Sequence, residues 1–263
     1  MDPKVDIFVL RYRGAPLDAQ DAINEMANWT ASSGIDIRMP ALRGNALIHR
    51  ARNIALKRLR PDATHVLFCD DDMAPEKDAL LRLLERGVPV VSALCTTKEE
   101  FPPIIAAKAY DAAEDRFAMI ESIKPDAFLT GKFGVGAAFL LVETWVIEAL
   151  KEHYLSGADW LDDNRRTFDR MHVRSENREK ERSRIESLRR ALYKKEQLIR
   201  IFQHSVQDNQ LDRGEDIHLS RNLIALNIPI SIDASVQVLH VGYFGYGPHL
   251  LGINDVKELR MTA

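Results

Sequence analysis

The residues best suited to chemistry stand in one stretch, Thr64-His65-Val66-Leu67-Phe68-Cys69-Asp70-Asp71-Asp72-Met73. An apolar run of strand length ends there in three consecutive carboxylates. Short apolar runs bounded by turn signals read as buried strands. Acids at the end of such a strand lie at the carboxyl edge of a sheet, where open α/β folds bind ligands. Adjacent carboxylates repel one another unless a cation shares their charge. Hard divalent ions suit oxygen ligands, and Mg²⁺ is commonly shared between one or two carboxylates and a substrate's phosphates. The plainer reading is that Asp71 and Asp72 cap the next helix, as Asp often does. One Asp suffices for a cap, so three after a buried strand favour a metal.

The elements that must position these acids alternate. Val5 to Leu10 reads as a first strand and Gly14-Ala15-Pro16 as a turn. A helical pattern runs from Asp18 to Ser32, and Ile35 to Leu42 is a second strand. Asn45 caps a helix that reaches Leu59, and Pro61 ends it. After the acids, Pro75 opens a helical pattern to Arg86, and Val88 to Leu94 is a further buried strand. Strands alternating with helices of this length predict a parallel or mixed sheet in three layers. Pro102 to Tyr110 and Phe117 to Ile120 are candidate strands. Thr130-Gly131-Lys132-Phe133-Gly134-Val135-Gly136 reads as a glycine-spaced loop feeding the strand Ala137 to Val142 and a helix from Thr144 to Tyr154. Such a loop is either a plain turn or a place of close backbone approach to a ligand.

The segment 156–206 differs in kind. From Arg174 to Arg200 there are ten basic and five acidic residues, a net +5, with no Gly or Pro. Ile185, Leu188, Leu192, Ile199 and Phe202 form a narrow apolar stripe, with Lys195 in one seam position. Most charged helices are solvated on one face; the sharper readings are a homodimer contact or an anionic acceptor. Beyond it, Gly214-Glu215-Asp216 begins a helix, Val236 to Val241 is a strand bearing His240, and Tyr243 to Gly247 is an aromatic, glycine-containing loop.

Taken in order, these pieces resemble the GT-A nucleotide-sugar glycosyltransferases, close to the large family-2 group and its phage-encoded members. The carriers are Ala51-Arg52-Asn53, Phe68-Cys69-Asp70-Asp71-Asp72 as the Asp-x-Asp motif, and Gly134-Val135-Gly136 before Phe139-Leu140-Leu141-Val142. Glu215-Asp216 is similar to the acceptor motif, and Ile232 to Gly242 to the closing segment that presents a histidine. The resemblance implies a Rossmann-like three-layer sandwich with a mixed, mostly parallel sheet: one catalytic domain over 1–263, with 156–206 as a charged helical insertion. It implies that Asp70, Asp72 and His240 hold Mn²⁺ or Mg²⁺. Arg52, Asp70, Asp71, Gly134 and Gly136 would border a nucleoside-diphosphate sugar. Asp216 would be the general base on an acceptor hydroxyl, with Glu215 orienting the acceptor or holding the loop. The sequence departs from the family after the second strand, where Met39-Pro40-Ala41-Leu42-Arg43 replaces the usual base-reading Asp. The donor's base is therefore not read, and the acceptor is a nucleic-acid base, a protein side chain or a glycan.

Two other functions fit parts of the pattern. A nucleotidyltransferase of similar fold would use a basic glycine loop after the first strand, for which Arg11, Arg13 and Gly14 are candidates. A non-catalytic nucleotide-sugar-binding or interaction module would work through the charged helix. Composition narrows the setting. Hydrophobic and charged residues make up 46% and 29% of 263, ordinary globular values, and a net charge of −3 gives no global push toward nucleic acid or membrane. Cys69 and Cys95 lie in apolar runs, which suits buried thiols in a reducing compartment. No apolar stretch approaches a membrane span and no signal peptide is evident, so a soluble cytoplasmic protein is expected.

Overall fold

The computed structural model describes residues 2–11, 16–42, 47–96, 104–164, 168–169, 171–196, 200–203, 205–207, 210–241 and 245–246. Asn45, Gly14, Ala15, Arg13, Ile199, Tyr243, Phe244 and Gly247, to which the sequence assigned parts, lie outside these residues. The chain opens with β1 (Lys4–Leu10), α1 (Leu17–Ser32), β2 (Asp36–Arg38), α2 (Ile48–Lys57) and β3 (His65–Asp70). Next come β4 (Met73–Pro75), α3 (Ala79–Glu85), β5 (Val90–Ala93), β6 (Ala107–Asp111), β7 (Arg116–Met119), β8 (Phe128–Gly131), β9 (Phe133–Val135) and β10 (Phe139–Glu143). They are followed by α4 (Thr144–Leu155), α5 (Ala158–Asp163) and the long α6 (Ser175–Glu196). The chain continues through β11 (Ser205–Gln207), β12 (Gln210–Arg213), α7 (Glu215–Ala225), β13 (Ile230–Asp233), β14 (Val238–Val241) and β15 (Gly245–Tyr246).

Among the described residues the central sheet has seven strands in the order β2-β1-β3-β10-β5-β13-β8. β1, β2, β3, β5 and β13 run together, while β10 and β8 run against them. Successive side chains of a strand point to opposite faces, so β3 feeds a core on each side of the sheet. Val66 and Phe68 join a core with Ala55 of α2, Leu150 of α4 and Leu223 of α7. Leu67 and Cys69 join a second core with Ile23 and Met26 of α1 and Leu80 and Leu83 of α3. The result is an α/β fold of three layers around a mixed, mostly parallel sheet. Among the described residues no helix is long and apolar enough to cross a membrane.

Several local expectations change. The second strand is reduced to Asp36–Arg38. Residues after Asp72 form β4 before any helix, and α3 starts at Ala79 behind Asp78, so Asp71 and Asp72 cap nothing. The glycine-spaced loop contains the last two residues of β8, Thr130 and Gly131, and all of β9, because each of these pieces finds a strand partner.

The charged helix forms as expected but docks differently. Its inward face is Arg178, Arg182, Ile185, Arg189 and Tyr193, at helical spacing. Arg182 Nε donates to the Ser156 carbonyl (3.2 Å), and Arg189 Nη1 donates to the Tyr154 carbonyl (2.6 Å). These carbonyls lie at the end of α4, where a cation is favoured, and the Tyr154 carbonyl also accepts from the Gly157 amide (3.1 Å). Arg189 also pairs with buried Asp159 and lies 4.2 Å from the centre of the Tyr154 ring. Gly157, at φ +73°, lets the two elements approach: a Cβ there would stand 3.2 Å from the Arg182 carbonyl oxygen. The apolar stripe is split: Ile185 turns inward, whereas Leu188 and Leu192 face out, 53% and 47% exposed. Phe202 does not belong to it; the helix ends at Glu196, and Phe202 is buried in the main core. Arg189→Ala is expected to cost about 3 kcal/mol in urea denaturation, since it takes the cation from buried Asp159 and leaves that carboxylate to a neutral amide partner. Leu188→Gln with Leu192→Gln is expected to stay within about 0.5 kcal/mol of wild type. Light scattering on that double variant reads the expected self-association: a fall in mass gives the stripe a partner copy, and an unchanged mass removes it.

Candidate active site

β3 delivers Asp70 to the carboxyl edge, where its amide bonds to the Ala138 carbonyl (2.8 Å). Asp71 and Asp72 turn the chain into β4, which pairs antiparallel with β14 so that His240 stands opposite Met73. The Val241 amide closes the turn on the Asp72 carbonyl at 2.7 Å. His240 Nε2 thereby comes within 3.3 Å of Asp72 Oδ2, and its Nδ1 lies 3.0 Å from the Thr96 carbonyl oxygen, just past β5. From the other side α2 projects Arg52, 2% exposed. One arm of its guanidinium donates to Asp70 Oδ1 (3.0 Å) and the other to Glu215 Oε1, in the first turn of α7. Asp216, the next residue, accepts from the Ile217 amide through Oδ1 (2.7 Å), and its Oδ2 is the heavy atom nearest to a Cβ placed on Gly136.

Arg52, Asp70, Gly136, Glu215, Asp216 and His240 thus border one cavity of about 220 Å³, together with Cys95 and Thr96. Asp72 reaches its rim through His240. Asp71 does not line it. A larger groove of about 460 Å³ lies at the opposite end of β3, between α2 and α4, and holds no cluster of acids. Cys95, Thr96 and Phe202 were not singled out from the sequence as site residues. Thr96 acts through a backbone carbonyl, which any residue would supply, and Phe202 is distant in the chain.

Gly134 does not face the cavity. A Cβ there would meet Phe117 at 2.9 Å and Ile217 at 3.0 Å, so this glycine lets β9 pack on α7. At Gly136 a Cβ would meet Asp216 Oδ2 at 3.9 Å, an ordinary contact, and its absence leaves room in the cavity.

The acids are perturbed in a consistent way. Burial raises Asp70 from 3.8 to about 6, against the pull of Arg52 and with the push of Asp72. Burial also raises Asp216, and the neighbouring Glu215 charge adds to it. Burial pushes the Cys95 thiol up to about 12, which leaves it a poor nucleophile.

Asp72 and His240 offer two side-chain ligands of kinds that a divalent ion takes. The Thr96 carbonyl accepts only from a protonated Nδ1, so Nε2 of a neutral His240 turns its lone pair toward the Asp72 carboxylate. Two acceptors at 3.3 Å call for a proton or a cation between them. A ligating histidine characteristically donates its other N–H to a carbonyl in this way. Among the described residues no three His, Cys, Asp or Glu side chains close into a complete metal cluster. Asp70, Asp72 and His240 thus do not close as a three-ligand set, and an ion held there would take its remaining ligands from water and substrate phosphate.

No family profile and no curated protein sequence matches the chain. Solved structures give distant likenesses. A197 from STIV shares 12% identity over 94% of this chain and 91% of its own, at TM-score 0.48. The 4-diphosphocytidyl-2C-methyl-D-erythritol synthase from Anaerococcus prevotii shares 12% over 58% of this chain and 75% of its own, at 0.33. A glycosyltransferase involved in glycosylation of the major capsid of PBCV-1 shares 10% over 56% of this chain and 62% of its own, at 0.28. At these scores the likenesses carry no argument, and the fold rests on the strand order itself.

Two outcomes test this site. Gly134→Ala is expected to cost about 1–3 kcal/mol through overpacking, and adding Ile217→Val should restore part of it; thermal denaturation reads both. Asp70 gives a pH signature. Its folded form binds a proton more tightly than the unfolded chain, so this group adds stability as pH falls from about 6 toward 3.8. Urea denaturation across that window is expected to show a gain in wild type over Asp70→Asn, and parallel curves would contradict the perturbation.

Proposed function

We propose that the chain is a metal-dependent glycosyltransferase that moves a sugar from a nucleoside-diphosphate sugar to an acceptor hydroxyl. One observation carries the reading: Arg52 bridges Asp70 and Glu215, so Asp70 and His240, beside the candidate ion site, border the same cavity as Asp216, the acid suited to a base. Asp72 and His240, with Asp70 beside them, would hold Mn²⁺ or Mg²⁺, and such an ion offsets the charge of a departing diphosphate. The cavity's surplus of carboxylates repels a bare diphosphate, so donor and ion are expected to bind together.

Asp216 faces the cavity without an ion-pair partner of its own in Arg52, and burial strengthens its hold on a proton. That suits a group that removes the proton from an attacking hydroxyl. Glu215, fixed by Arg52, anchors the first turn of α7 and keeps Asp216 aimed. A second cavity of about 250 Å³ adjoins the carboxyl end of β1, lined by Val9, Arg11, Asn24, Met39 and Leu42. It offers apolar contact and an amide for the donor's base, in place of the carboxylate absent from the sequence after β2. Of the residues that a nucleotidyltransferase would use for phosphates, Arg11 hydrogen-bonds to Gln20 of α1, and Arg13 and Gly14 lie outside the described residues.

The test incubates the protein with Mn²⁺ and UDP-glucose, GDP-mannose and dTDP-glucose in turn, assaying free nucleoside diphosphate. Release by wild type is expected, with Asp72→Asn inactive and chelator abolishing turnover. Asp216→Asn is expected to slow the step by about 10²–10⁴-fold while donor binding persists. Pyrophosphate release from a nucleoside triphosphate would shift the assignment to nucleotidyl transfer, and no release at all would leave a binding module.

A further inference from the structure

The arm enters the sequence as an insertion, yet the chain returning from it is buried, with Ile201 and Phe202 each 1% exposed. Asn53 of α2 holds Phe202 from both sides. Its Oδ1 accepts from the Phe202 amide (3.1 Å) and its Nδ2 donates to the Phe202 carbonyl (2.6 Å). The Phe202 ring then lies against the guanidinium of Arg52, the neighbour of Asn53, at 5.6 Å, and meets Phe68 of β3 edge-on at 5.1 Å. The next residue, Gln203, links two further elements through one nitrogen. Nε2 donates to Asp159 Oδ2 (2.9 Å) and stands 3.2 Å from His218 Nε2 on α7. Asp159 in turn holds Arg189 of the arm.

Two consecutive residues therefore join α2, which bears Arg52, to α7, which bears Glu215 and Asp216, and anchor both to the arm. We propose that Phe202 and Gln203 are positioning residues that set the register between these two helices. The Asp70–Arg52–Glu215 bridge and the aim of Asp216 depend on that register, and the arm's docked face is its anchor. Hydrogen bonds specify direction as well as distance and so limit how the joined elements can shift, and a misplacement of about 1 Å at a reacting group costs on the order of 10²-fold in rate. What is aimed rests on the functional reading above; the mechanical linkage does not.

Gln203→Met keeps the side chain's length and removes both hydrogen bonds, and Phe202→Leu removes the ring beside Arg52. Hydrogen–deuterium exchange on Gln203→Met is expected to quicken about tenfold at Leu219–Asn222, the scale of a lost hydrogen bond. Amides of α1, across the sheet, should stay unchanged. In donor turnover, Gln203→Met should lower kcat by about 10²-fold with donor KM nearly unchanged, whereas Phe202→Leu should raise donor KM. Equal quickening in α1 and α7, or wild-type exchange and kinetics in both variants, overturns the proposal. Should the variants fail to fold, wild-type exchange in rising urea decides: Phe202 and Leu219–Asn222 are expected to open as one unit, and separate openings refute the linkage. If wild-type protein turns over no nucleotide sugar, the functional reading fails and the exchange data alone decide the linkage.

Discussion

The site depends on one buried guanidinium. Arg52 sits where a β-strand end, a helix N-terminus and the aromatic face of Phe202 meet, and it satisfies a carboxylate on each side. An isolated charge at such depth is strongly disfavoured, and a guanidinium is tolerated because its planar fork reaches two partners at once. A lysine at this position would bring a single point of charge and could not span Asp70 and Glu215 in the same geometry. The bridge also separates two neighbouring acids by role. Glu215 is held by Arg52, while Asp216, one residue on, turns toward the cavity and keeps a raised affinity for its proton. Groups whose environments are driven apart in this manner are the usual basis of an acid–base assignment.

The mixed sheet explains why so many segments reach one edge. A strand running against its neighbours enters at the edge where they leave. β10 lies antiparallel between β3 and β5, so the residues leading into it, Gly136 to Ala138, arrive beside the ends of both. Asp70 ends β3, Thr96 follows β5, and the small β15-β14-β4 sheet returns His240 to the same place. A wholly parallel sheet would have needed its connections to fold back over the edge to achieve this.

Much of this was legible in the sequence, for physical reasons that differ by element. The apolar run into Asp70, the helix of α1 and the charged helix of α6 follow from local periodicity. Arg52, Asp70, Asp72, Glu215, Asp216 and His240 were named as site residues, and they come together at or beside one cavity. Position-specific packing was not legible. The family resemblance implies that Gly134 borders a ligand, yet its missing Cβ accommodates Phe117 and Ile217, which are distant in the chain. Phe202 continues the helical spacing of Leu188 and Leu192, but burial beside Arg52 outweighs that spacing once the helix has ended. Propensity fixes local form; long-range contact decides which residue of a periodic set is used.

The arm shows the same limit for charge. Its excess of basic residues suggests a surface for anions, but Arg182 and Arg189 turn inward onto the carbonyls that end α4. Arg178, Arg184 and Arg190 are paired with Asp169, Glu181 and Glu186. The helix's own glutamates are already subtracted in its excess, so what lowers the field further is pairing with acids outside it, Asp169 for Arg178 and Asp159 for Arg189. What the arginines secure instead is a rigid seat for the returning chain. A helix docked by charge-assisted hydrogen bonds to fixed backbone carbonyls has less freedom to slide than one docked by an apolar stripe, because each bond specifies a direction as well as a distance. Precision of that kind serves no purpose in a solvated appendage, but it does in an element whose next buried residue rests against Arg52.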